Sequence, residues 1–326
     1  MNTALVTGAT GFIGSHLAEA LCNRNVRVKC LTRPTSNLRW IRHLDAEIIR
    51  ADFTDPDTLK DPARDAEYVF HLAGAVKALG WKEYHQSNVL ATRNLLSAAE
   101  ASSRLKRFVL VSSQAAGGPS SDGAPVKESD PPRPLTQYGR SKLEAERIVL
   151  DHADRMPVTI VRPPSVFGPR DGEMVRLFRA VRSGMRPALG LRPHYASLIY
   201  VEDLVRGILQ AAESENSIGK TYFLATEPDM SWERLGRALA EVMKRRTVSV
   251  RIPLWAFASV ALVRDMIARL TRRPDIVNWD KVKEFRERFW ICNSTLAQQD
   301  FEFAAHTDLK EALAKTYQWY ADHGWF

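Results

Sequence analysis

The residues that point most directly to chemistry are a tyrosine and a lysine four positions apart, with a serine upstream of them. Tyr138 and Lys142 lie in the segment QYGRSK, and on a helix they would share one face. A tyrosine, with a pKa of about 10, needs a nearby ammonium to exchange protons near neutral pH. Ser113 ends the strand-like segment 107–113 and can donate a hydrogen bond to a carbonyl oxygen. We expect Tyr138 to be the general acid/base of a hydride transfer, Lys142 to lower its pKa, and Ser113 to polarise the carbonyl.

A glycine loop near the start of the chain predicts a dinucleotide site. The segment TGATGFIG places Gly8, Gly11 and Gly14 between a strand-like segment and a helix-like one. Gly8 allows a tight turn, Gly11 lets the backbone approach a pyrophosphate, and Gly14 lets the helix pack closely on the sheet. The helix N-terminus would supply N–H donors to the phosphates. The loop and the Tyr-x-x-x-Lys pattern are each weak signals, but their order in one chain is much more specific. The other residues of this segment that we expect at the cofactor are Thr10, Phe12 and Ile13.

The end of the second predicted strand favours NADP over NAD. An acid at this place binds the ribose 2′-hydroxyl of NAD, whereas here Thr32 is followed by Arg33, which can pair with a 2′-phosphate. NAD at a neutral ribose site stays the alternative. Asp52 and Phe53, after the third predicted strand, can border the adenine. An ordinary helix start before Asp55 explains Asp52 nearly as well.

Alternating strand-like and helix-like segments must position these residues. Short apolar segments at 5–7, 26–32, 46–51, 68–72, 108–112 and 158–161 are separated by amphipathic stretches such as 15–23, 88–102 and 137–153. This alternation predicts an α/β fold, a doubly wound parallel Rossmann sheet. After residue 165 prolines break the rhythm and longer helical patterns follow. We predict a dinucleotide-binding domain at 1–165, to which 201–226 returns, and a smaller, mostly helical substrate domain at 166–326.

Composition and charge exclude several classes of protein. The chain has 326 residues, 45% of them hydrophobic, and three cysteines without metal-binding spacing, so we expect no disulfide framework and no metal. No leader pattern and no membrane-spanning run predict a cytoplasmic protein. The net charge is +8, and residues 243–290 carry twelve Lys and Arg against five Asp and Glu. No nucleic-acid-binding module accompanies this basic stretch, and we interpret it as mostly a solvated face.

An apolar segment at 252–263 is followed at once by Arg264 and Asp265. Its length predicts a buried or interfacial helix rather than a membrane span. A helix lining the second domain or a dimer contact is the favoured interpretation. Peripheral contact with a membrane, serving a lipid-like substrate, stays open because of the neighbouring basic residues.

Further motifs give the chain a family resemblance. It resembles the extended short-chain dehydrogenases/reductases of the NAD-dependent epimerase/dehydratase superfamily from the first strand to the C-terminus. The motifs that carry the resemblance are the glycine loop, FHLAG at 70–74, NVLATRNLL at 88–96, VSS at 111–113, YGRSK at 138–142, VRPPSVFGPR at 161–170 and LIYVED at 198–203. The resemblance implies a Rossmann domain with Ser113, Tyr138 and Lys142 as the catalytic triad, and Lys142 also holding the nicotinamide ribose. It further implies cofactor contacts from Leu72, Ala73, Gly74, Pro163 and Val166.

Departures from the family pattern point to the reaction. Sugar-nucleotide members carry an Arg-Asp pair where this chain has Ala196 and Ser197, an asparagine that matches Ser165, and a hydroxylic residue that matches Ala115. The chain is more similar to the 3β-hydroxysteroid dehydrogenase and dihydroflavonol reductase branches. The predicted substrate contacts are Lys77, Gln114, Ser165 and Arg170, and the basic ones leave an anionic substrate open.

We therefore expect an NADP-dependent oxidoreductase that interconverts a secondary alcohol and a ketone on a small or moderately apolar substrate. A nucleotide-sugar epimerase/dehydratase that retains NAD is the alternative. A non-catalytic cofactor-binding protein is a third hypothesis, which the intact triad disfavours. The expected partner is a small molecule, not nucleic acid, and a homodimer is consistent with the family.

Overall fold

A parallel sheet of seven strands organises the computed structural model, which describes residues 1–226, 230–275 and 277–326. The strands of these residues are β1 (Thr3–Thr7), β2 (Arg27–Thr32), β3 (Ala46–Arg50), β4 (Tyr68–His71), β5 (Arg107–Val111), β6 (Val158–Arg162), β7 (Ser165–Phe167), β8 (Met185–Leu189), β9 (Tyr195–Ala196), β10 (Leu198–Tyr200), β11 (Lys220–Phe223), β12 (Val248–Ile252) and β13 (Phe289–Trp290). The order in the main sheet is β11-β6-β5-β4-β1-β2-β3.

The helices of the described residues cover both faces of this sheet or pack in the C-terminal part. They are α1 (Phe12–Cys22), α2 (Asp57–Arg64), α3 (Trp81–Tyr84), α4 (Ala91–Glu100), α5 (Gln114–Gly117), α6 (Gln137–Leu150), α7 (Val175–Arg182), α8 (Val201–Glu213), α9 (Trp232–Val242), α10 (Leu254–Thr271), α11 (Trp279–Arg286), α12 (Thr295–Phe301) and α13 (Leu309–Asp322). A π-helical turn, His85–Leu90, precedes α4, and a 3₁₀ turn, Glu215–Ser217, precedes β11.

Alternation along β1 divides the core into two layers. Ala4 and Val6 pack with α1 and α8, whereas Leu5 packs on the opposite face with α2, α4 and α6. Strands buried on both faces read as continuous apolar runs, which is why these segments stood out in the sequence. The predicted doubly wound Rossmann fold is confirmed.

Strand order creates a crevice above the centre of the sheet. β1 pairs with β2 on one side and with β4 on the other, so the connections leave in opposite directions from its carboxyl end. In open α/β sheets, ligands bind at such a switch point. The glycine loop follows β1, and the segment of Leu72, Ala73 and Gly74 follows β4, so both lie at this crevice.

The C-terminal part packs around its own apolar cluster. Phe178 of α7, Leu239 of α9 and Tyr320 of α13 are fully buried there. It also contains short parallel strand pairs, β7 with β10, β8 with β12 and β9 with β13. Within the described residues no helix is both long and apolar enough to cross a bilayer.

Candidate active site

The glycine loop is held tightly against the end of β4. Gly8 has φ +72°, and a Cβ at this position would lie 2.7 Å from the backbone nitrogen of Ala73. A Cβ on Gly14 would lie 2.2 Å from the carbonyl oxygen of Gly8. Both glycines are therefore required by close backbone approach, and Gly8 also by its left-handed backbone.

A buried polar chain fixes the same two strands to each other. The hydroxyl of Thr7 accepts a hydrogen bond from the backbone N–H of Ala73 at 3.1 Å and contacts Nδ1 of His71 at 2.7 Å. Nε2 of His71 lies 2.9 Å from the hydroxyl of Thr92 on α4. Burial lowers the pKa of His71 to about 3, so this imidazole is a neutral structural link.

The start of α1 fits a dinucleotide pyrophosphate. Gly11 is its N-cap and has no side chain to satisfy the first N–H groups, while Thr10, Phe12 and Ile13 are partly exposed around it. Unpaired N–H groups and the helix dipole favour an anion at this end. Because Gly8 and Gly14 have no side chains, the backbone of this loop stays accessible to a ligand. These residues would hold the pyrophosphate of a nicotinamide dinucleotide.

Two arginines stand at the carboxyl ends of the neighbouring strands β2 and β3, where the adenosine ribose of such a cofactor would lie. Thr32 is buried, and its hydroxyl donates to the carbonyl of Ile49 at 3.3 Å. Arg33, directly after it, is exposed. Arg50 is the β3 partner of Thr32 and donates a hydrogen bond to the carbonyl of Pro34. Sequence reasoning identified Arg33 but not Arg50, whose signal was its place at the carboxyl end of the neighbouring strand.

Asp52 and Phe53 play different parts beside this site. Oδ1 of Asp52 accepts hydrogen bonds from the backbone N–H and the hydroxyl of Thr54, at 2.8 and 2.7 Å. These bonds lower the pKa of Asp52. The Phe53 side chain is buried in the core, so any cofactor contact of Phe53 is left to its backbone.

The predicted triad is assembled by α5 and α6. Thr136 caps α6 by accepting a hydrogen bond from the N–H of Gly139 at 3.0 Å. A Cβ on Gly139 would lie 2.3 Å from the carbonyl oxygen of Ala115, so glycine is needed for α6 to pack on α5. Ser113 caps α5 by accepting a hydrogen bond from the N–H of Ala115 at 3.1 Å, and its hydroxyl lies near enough to the phenol of Tyr138 to lower the pKa of that group. The serine and the tyrosine are thereby brought together.

The pKa of Tyr138 lies above the ordinary value of a tyrosine. Burial of the phenol is the largest cause and raises this pKa to about 12; the neighbouring Ser113 hydroxyl lowers it, and the negative charges of Glu284 and Glu173 add smaller increases. Burial therefore outweighs the other influences on this phenol, and the lowering of its pKa by Lys142 stays a prediction.

Lys142 is a buried ammonium held at the end of β5. Its Nζ donates to the carbonyl of Val111 at 2.9 Å. Burial lowers the pKa of Lys142 to about 8, and the charge of Glu146 one turn further along α6 opposes this change. Glu146 itself is buried in a two-bond pair with Arg162, with distances of 3.0 and 2.6 Å.

A π-helical turn connects the cofactor loop to the catalytic helix. Asn88 lies in it and is buried. Its Oδ1 accepts from the N–H of Ala75 at 2.7 Å, and its Nδ2 donates to the hydroxyl of Ser141 at 2.8 Å. Ser141 donates in turn to the carbonyl of Tyr138 at 2.7 Å. A Cβ on Gly74 would lie 2.8 Å from the same Asn88 oxygen, so this glycine is also sterically required.

The predicted substrate contacts are separated into different environments. Gln114 is buried, and within the described residues its Nε2 has no hydrogen-bond partner. The backbone N–H of Gln114 donates to the carbonyl of Pro163 at 2.8 Å, which ties the two segments together. Lys77 and Ser165 are exposed, and Val166 is partly buried in the strand after Pro163. Of these predicted contacts, Gln114 is therefore the one with a buried N–H donor that a ligand could satisfy.

Arg170 does not offer a free charge to a substrate. Its guanidinium donates to the carboxylate of Glu19 at 2.6 Å and to the hydroxyl of Ser15 at 3.1 Å, both on α1. It also lies over the ring of Trp40, 5.4 Å from its centroid. These contacts join the C-terminal part to α1, and the role of Arg170 as a substrate contact stays a prediction.

Helix α11 contributes residues that sequence reasoning missed. Asp280 accepts a hydrogen bond from the N–H of Gln137, at the start of α6, at 2.9 Å. Lys281 and Glu284 form an ion pair of 2.7 Å, and Glu284 is one of the carboxylates that raise the pKa of Tyr138. Their charged i, i+3 pattern is typical of a solvated helix, so sequence alone gave no signal that they border the site.

Comparison with known proteins decides the family. Residues 4–225 match the model of the NAD dependent epimerase/dehydratase family, which spans the glycine loop, the triad and β11. The chain belongs to this family. It is an NAD(P)-dependent enzyme of the extended short-chain dehydrogenase/reductase type.

Relatives within the family catalyse different reactions. The chain is 29% identical to ceramide reductase from Caulobacter vibrioides, over 98% of this chain and 95% of that protein. It is 28% identical to 3 beta-hydroxysteroid dehydrogenase/Delta 5-->4-isomerase from Mycobacterium tuberculosis, over 77% of this chain and 72% of that protein. The solved structure of MoeE5 in complex with UDP-glucuronic acid and NAD superposes with a TM-score of 0.77 at 27% identity, over 99% of this chain and 100% of that chain.

Proposed function

We propose that this enzyme is an NADPH-dependent reductase that converts a ketone on an apolar substrate into a secondary alcohol. The observation that carries the proposal is that Ser113 lies beside the phenol of Tyr138, on whose helix the buried ammonium of Lys142 also stands. A serine hydroxyl and a phenol that point to the same place can both donate hydrogen bonds to one carbonyl oxygen.

The protein groups then have distinct tasks in the reaction. When bound, the dihydronicotinamide supplies the hydride that attacks the carbonyl carbon. Ser113 holds the carbonyl oxygen by a hydrogen bond, and Tyr138 transfers its phenolic proton to that oxygen as negative charge develops. The high pKa of Tyr138 keeps the phenol protonated and ready to donate. Lys142 contributes its positive charge next to the phenolate that remains.

The choice of NADPH is supported by Arg33 and Arg50. Arg33 follows the neutral Thr32 in the chain and Arg50 is the β3 partner of Thr32, so no carboxylate at the end of β2 opposes a 2′-phosphate. Arginine pairs with phosphate through two parallel hydrogen bonds.

An apolar substrate is supported by the residues where nucleotide-sugar enzymes carry polar contacts. Ala196 is buried in β9, and Ser197 is buried in hydrogen bonds with the backbone of Cys292, at 3.2 and 3.0 Å. Neither offers a free polar group to a sugar. The names of two relatives, a ceramide reductase and a 3 beta-hydroxysteroid dehydrogenase, fit the same substrate class.

A nucleotide-sugar epimerase that retains NAD is the second candidate. It is favoured by the likeness to MoeE5, which binds UDP-glucuronic acid and NAD with the same overall fold. In that reaction a hydride is taken from the substrate and returned to it, so no cofactor is consumed.

One experiment separates the two candidates. The purified protein is denatured and the released nucleotide is identified by mass spectrometry, and NADPH and NADH oxidation are then followed with a panel of apolar ketones. An empty site or NADP, together with NADPH oxidation, is the expected result. Stoichiometric NAD or NADH, with epimerisation of a UDP-sugar and no net oxidation of added cofactor, would overturn the reductase proposal.

A further inference from the structure

Helix α10 exposes a broad apolar face. Leu270 is 83% exposed and Trp255 74%, and the same helix exposes more than half of Val260, Leu262, Val263, Met266 and Ile267. Large apolar side chains are rarely grouped in this way on the surface of a monomer.

Helical geometry places these residues together. Ala261 and Ala268 are the buried residues of α10, and they lie on the side opposite Val263 and Leu270. The exposed apolar residues fill the outer half of the helix over about 24 Å of its length. Arg264 and Arg269 stand at the two borders of this face, each in an ion pair, with Asp275 at 2.8 Å and with Asp265 at 3.1 Å.

The segments before α10 add further exposed apolar residues. Val248 of β12 is 71% exposed, and α10 begins two residues after β12 ends. Arg251 donates to the carbonyl of Leu191 at 3.3 Å, which brings that exposed leucine beside the start of α10. We call the exposed apolar residues of α10 together with Leu191 and Val248 the apolar surface.

Basic residues lie at both ends of the apolar surface. Arg272 and Arg273 follow α10 directly and are exposed. Before β12, a cleft of about 380 Å³ is lined by Arg186, Arg237, Lys244, Arg245 and Arg246, together with Ala240, Glu241 and Thr247. Glu241 is already paired with Lys310 at 2.8 Å, so the cleft keeps a positive charge.

We propose that the apolar surface docks on a membrane surface that contains anionic lipid. Insertion of an apolar helix face, with positive charge around it, is the way in which interfacial helices bind anionic bilayers. A second copy of the chain fits this surface less well, because it would bring two basic stretches of +7 each together. The charged residues within α10 favour a helix that lies along the membrane rather than across it.

The docking helix is connected to the active site through α11. Phe257 of α10 meets Phe285 of α11 edge to face, with ring centroids 5.1 Å apart. Asp280 of α11 binds the start of the catalytic helix through Gln137. Docking would thus bring the substrate side of the site close to the lipid phase. This link to an apolar substrate rests on the proposed function, whereas docking itself does not.

Vesicle co-sedimentation tests the proposal. The purified protein is mixed at low salt with vesicles of phosphatidylcholine alone or with one quarter phosphatidylglycerol, and the bound fraction is measured. We expect binding to the anionic vesicles that weakens at high salt. The double variant Val263→Asp/Leu270→Asp should lose at least about tenfold in affinity, because charged groups on the inserted face resist burial. The variant Arg272→Glu/Arg273→Glu should lose at least about thirtyfold in affinity for anionic vesicles, because each basic residue near the surface contributes about 1 kcal/mol.

Matched controls make the outcome decisive. Leu150→Asp changes a leucine that is 38% exposed at the end of α6, and it should bind as the unaltered chain does. Circular dichroism and NADPH binding verify that each variant is folded, independently of catalysis. Failure of the folded, unaltered chain to bind anionic vesicles would overturn the proposal, as would unchanged binding by Val263→Asp/Leu270→Asp. So would a dimer that this variant dissociates in the absence of vesicle binding.

Discussion

The ammonium of Lys142 is tied to the carbonyl oxygen of Val111, 2.9 Å away. Val111 is the last residue of β5, and Ser113 follows it two positions later. The strand that delivers the serine therefore also fixes the lysine that comes from α6. An ammonium has three N–H donors, so this bond leaves two for other partners.

The pKa of Lys142 predicts how the reaction depends on pH. Burial lowers this pKa to about 8, so the ammonium is charged below pH 8 and neutral above it. Tyr138, with a pKa of about 12, stays protonated throughout this range. We expect kcat/KM for ketone reduction to fall as the pH rises through about 8. In Lys142→Arg, whose guanidinium does not titrate there, the fall should disappear even if the overall rate is lower. An unaltered chain with a flat profile up to pH 9.5 would contradict this.

Removal of the Tyr138 hydroxyl should stop turnover without stopping cofactor binding. For Tyr138→Phe we expect a loss of about 10²–10⁴ in kcat, the usual contribution of a general acid. The affinity for NADPH, measured by fluorescence titration, should change little. Tyr84→Phe is the control, because its ring is a neighbour of Tyr138, 6.2 Å between centroids, and its hydroxyl only reaches the carbonyl of Val76 at 3.4 Å. Equal losses in both variants would argue against the role of Tyr138.

Arg33 and Arg50 should control the choice between NADPH and NADH. Each lost charge-assisted contact with the 2′-phosphate is worth about 1.5 kcal/mol or more, so Arg33→Ala and Arg50→Ala should each raise the Kd for NADPH about tenfold. The Kd for NADH should stay the same, since it has no 2′-phosphate. Arg42→Ala, at another exposed arginine, serves as the control. A parallel weakening of NADH binding would show that the variants merely disturb the loop.

Because Gly14 lies so close to Gly8, the variant Gly14→Ala should not bind the cofactor. The added Cβ would lie 2.2 Å from a backbone oxygen, so the glycine loop must move away from α1. We expect this variant to bind no measurable NADPH. Gly80→Ala is the matched control, because no atom lies within 4 Å of its added Cβ. Normal NADPH affinity in a folded Gly14→Ala variant would disprove the steric argument.

The buried pair of Glu146 and Arg162 should matter for stability. Both side chains are less than a tenth exposed, and Glu146→Gln would leave the guanidinium buried without its counter-charge. Breaking such a pair costs about 3–5 kcal/mol in the free energy of unfolding, measurable by urea denaturation. Glu100→Gln is the control, since its pair with Arg155 is much more exposed, at 32% and 57% of the two side chains, and should contribute less than about 1 kcal/mol. Similar losses in the two variants would mean that burial of the pair is unimportant.

The sequence predicted the sheet well for a physical reason. Strands such as β5 and β6 are buried on both faces, so their apolar runs are unmistakable. The glycine loop and the Tyr-x-x-x-Lys pattern are local features, so they can be recognised from a few consecutive residues without knowing how the rest of the chain folds. The order of these motifs then limits the fold to one family.

What the sequence could not predict depends on contacts between distant segments. Arg170 was expected at the substrate, but it is bound by Glu19, which lies about 150 positions earlier. The pKa of Tyr138 is raised in part by Glu284, which α11 brings to the site. The solvated pattern of α11 and the place of Arg50 beside Thr32 become meaningful only once the sheet is assembled.

The position of β11 at the edge of the main sheet has a consequence for synthesis of the protein. It pairs with β6 although about sixty residues separate the two strands in the chain. Until the ribosome has released residue 223, the edge formed by β6, all five residues of which are buried in the finished protein, is left bare. Such an unpaired apolar edge is a template for aggregation. A nascent chain, or a fragment truncated at residue 165, is therefore expected to aggregate more readily than the complete protein.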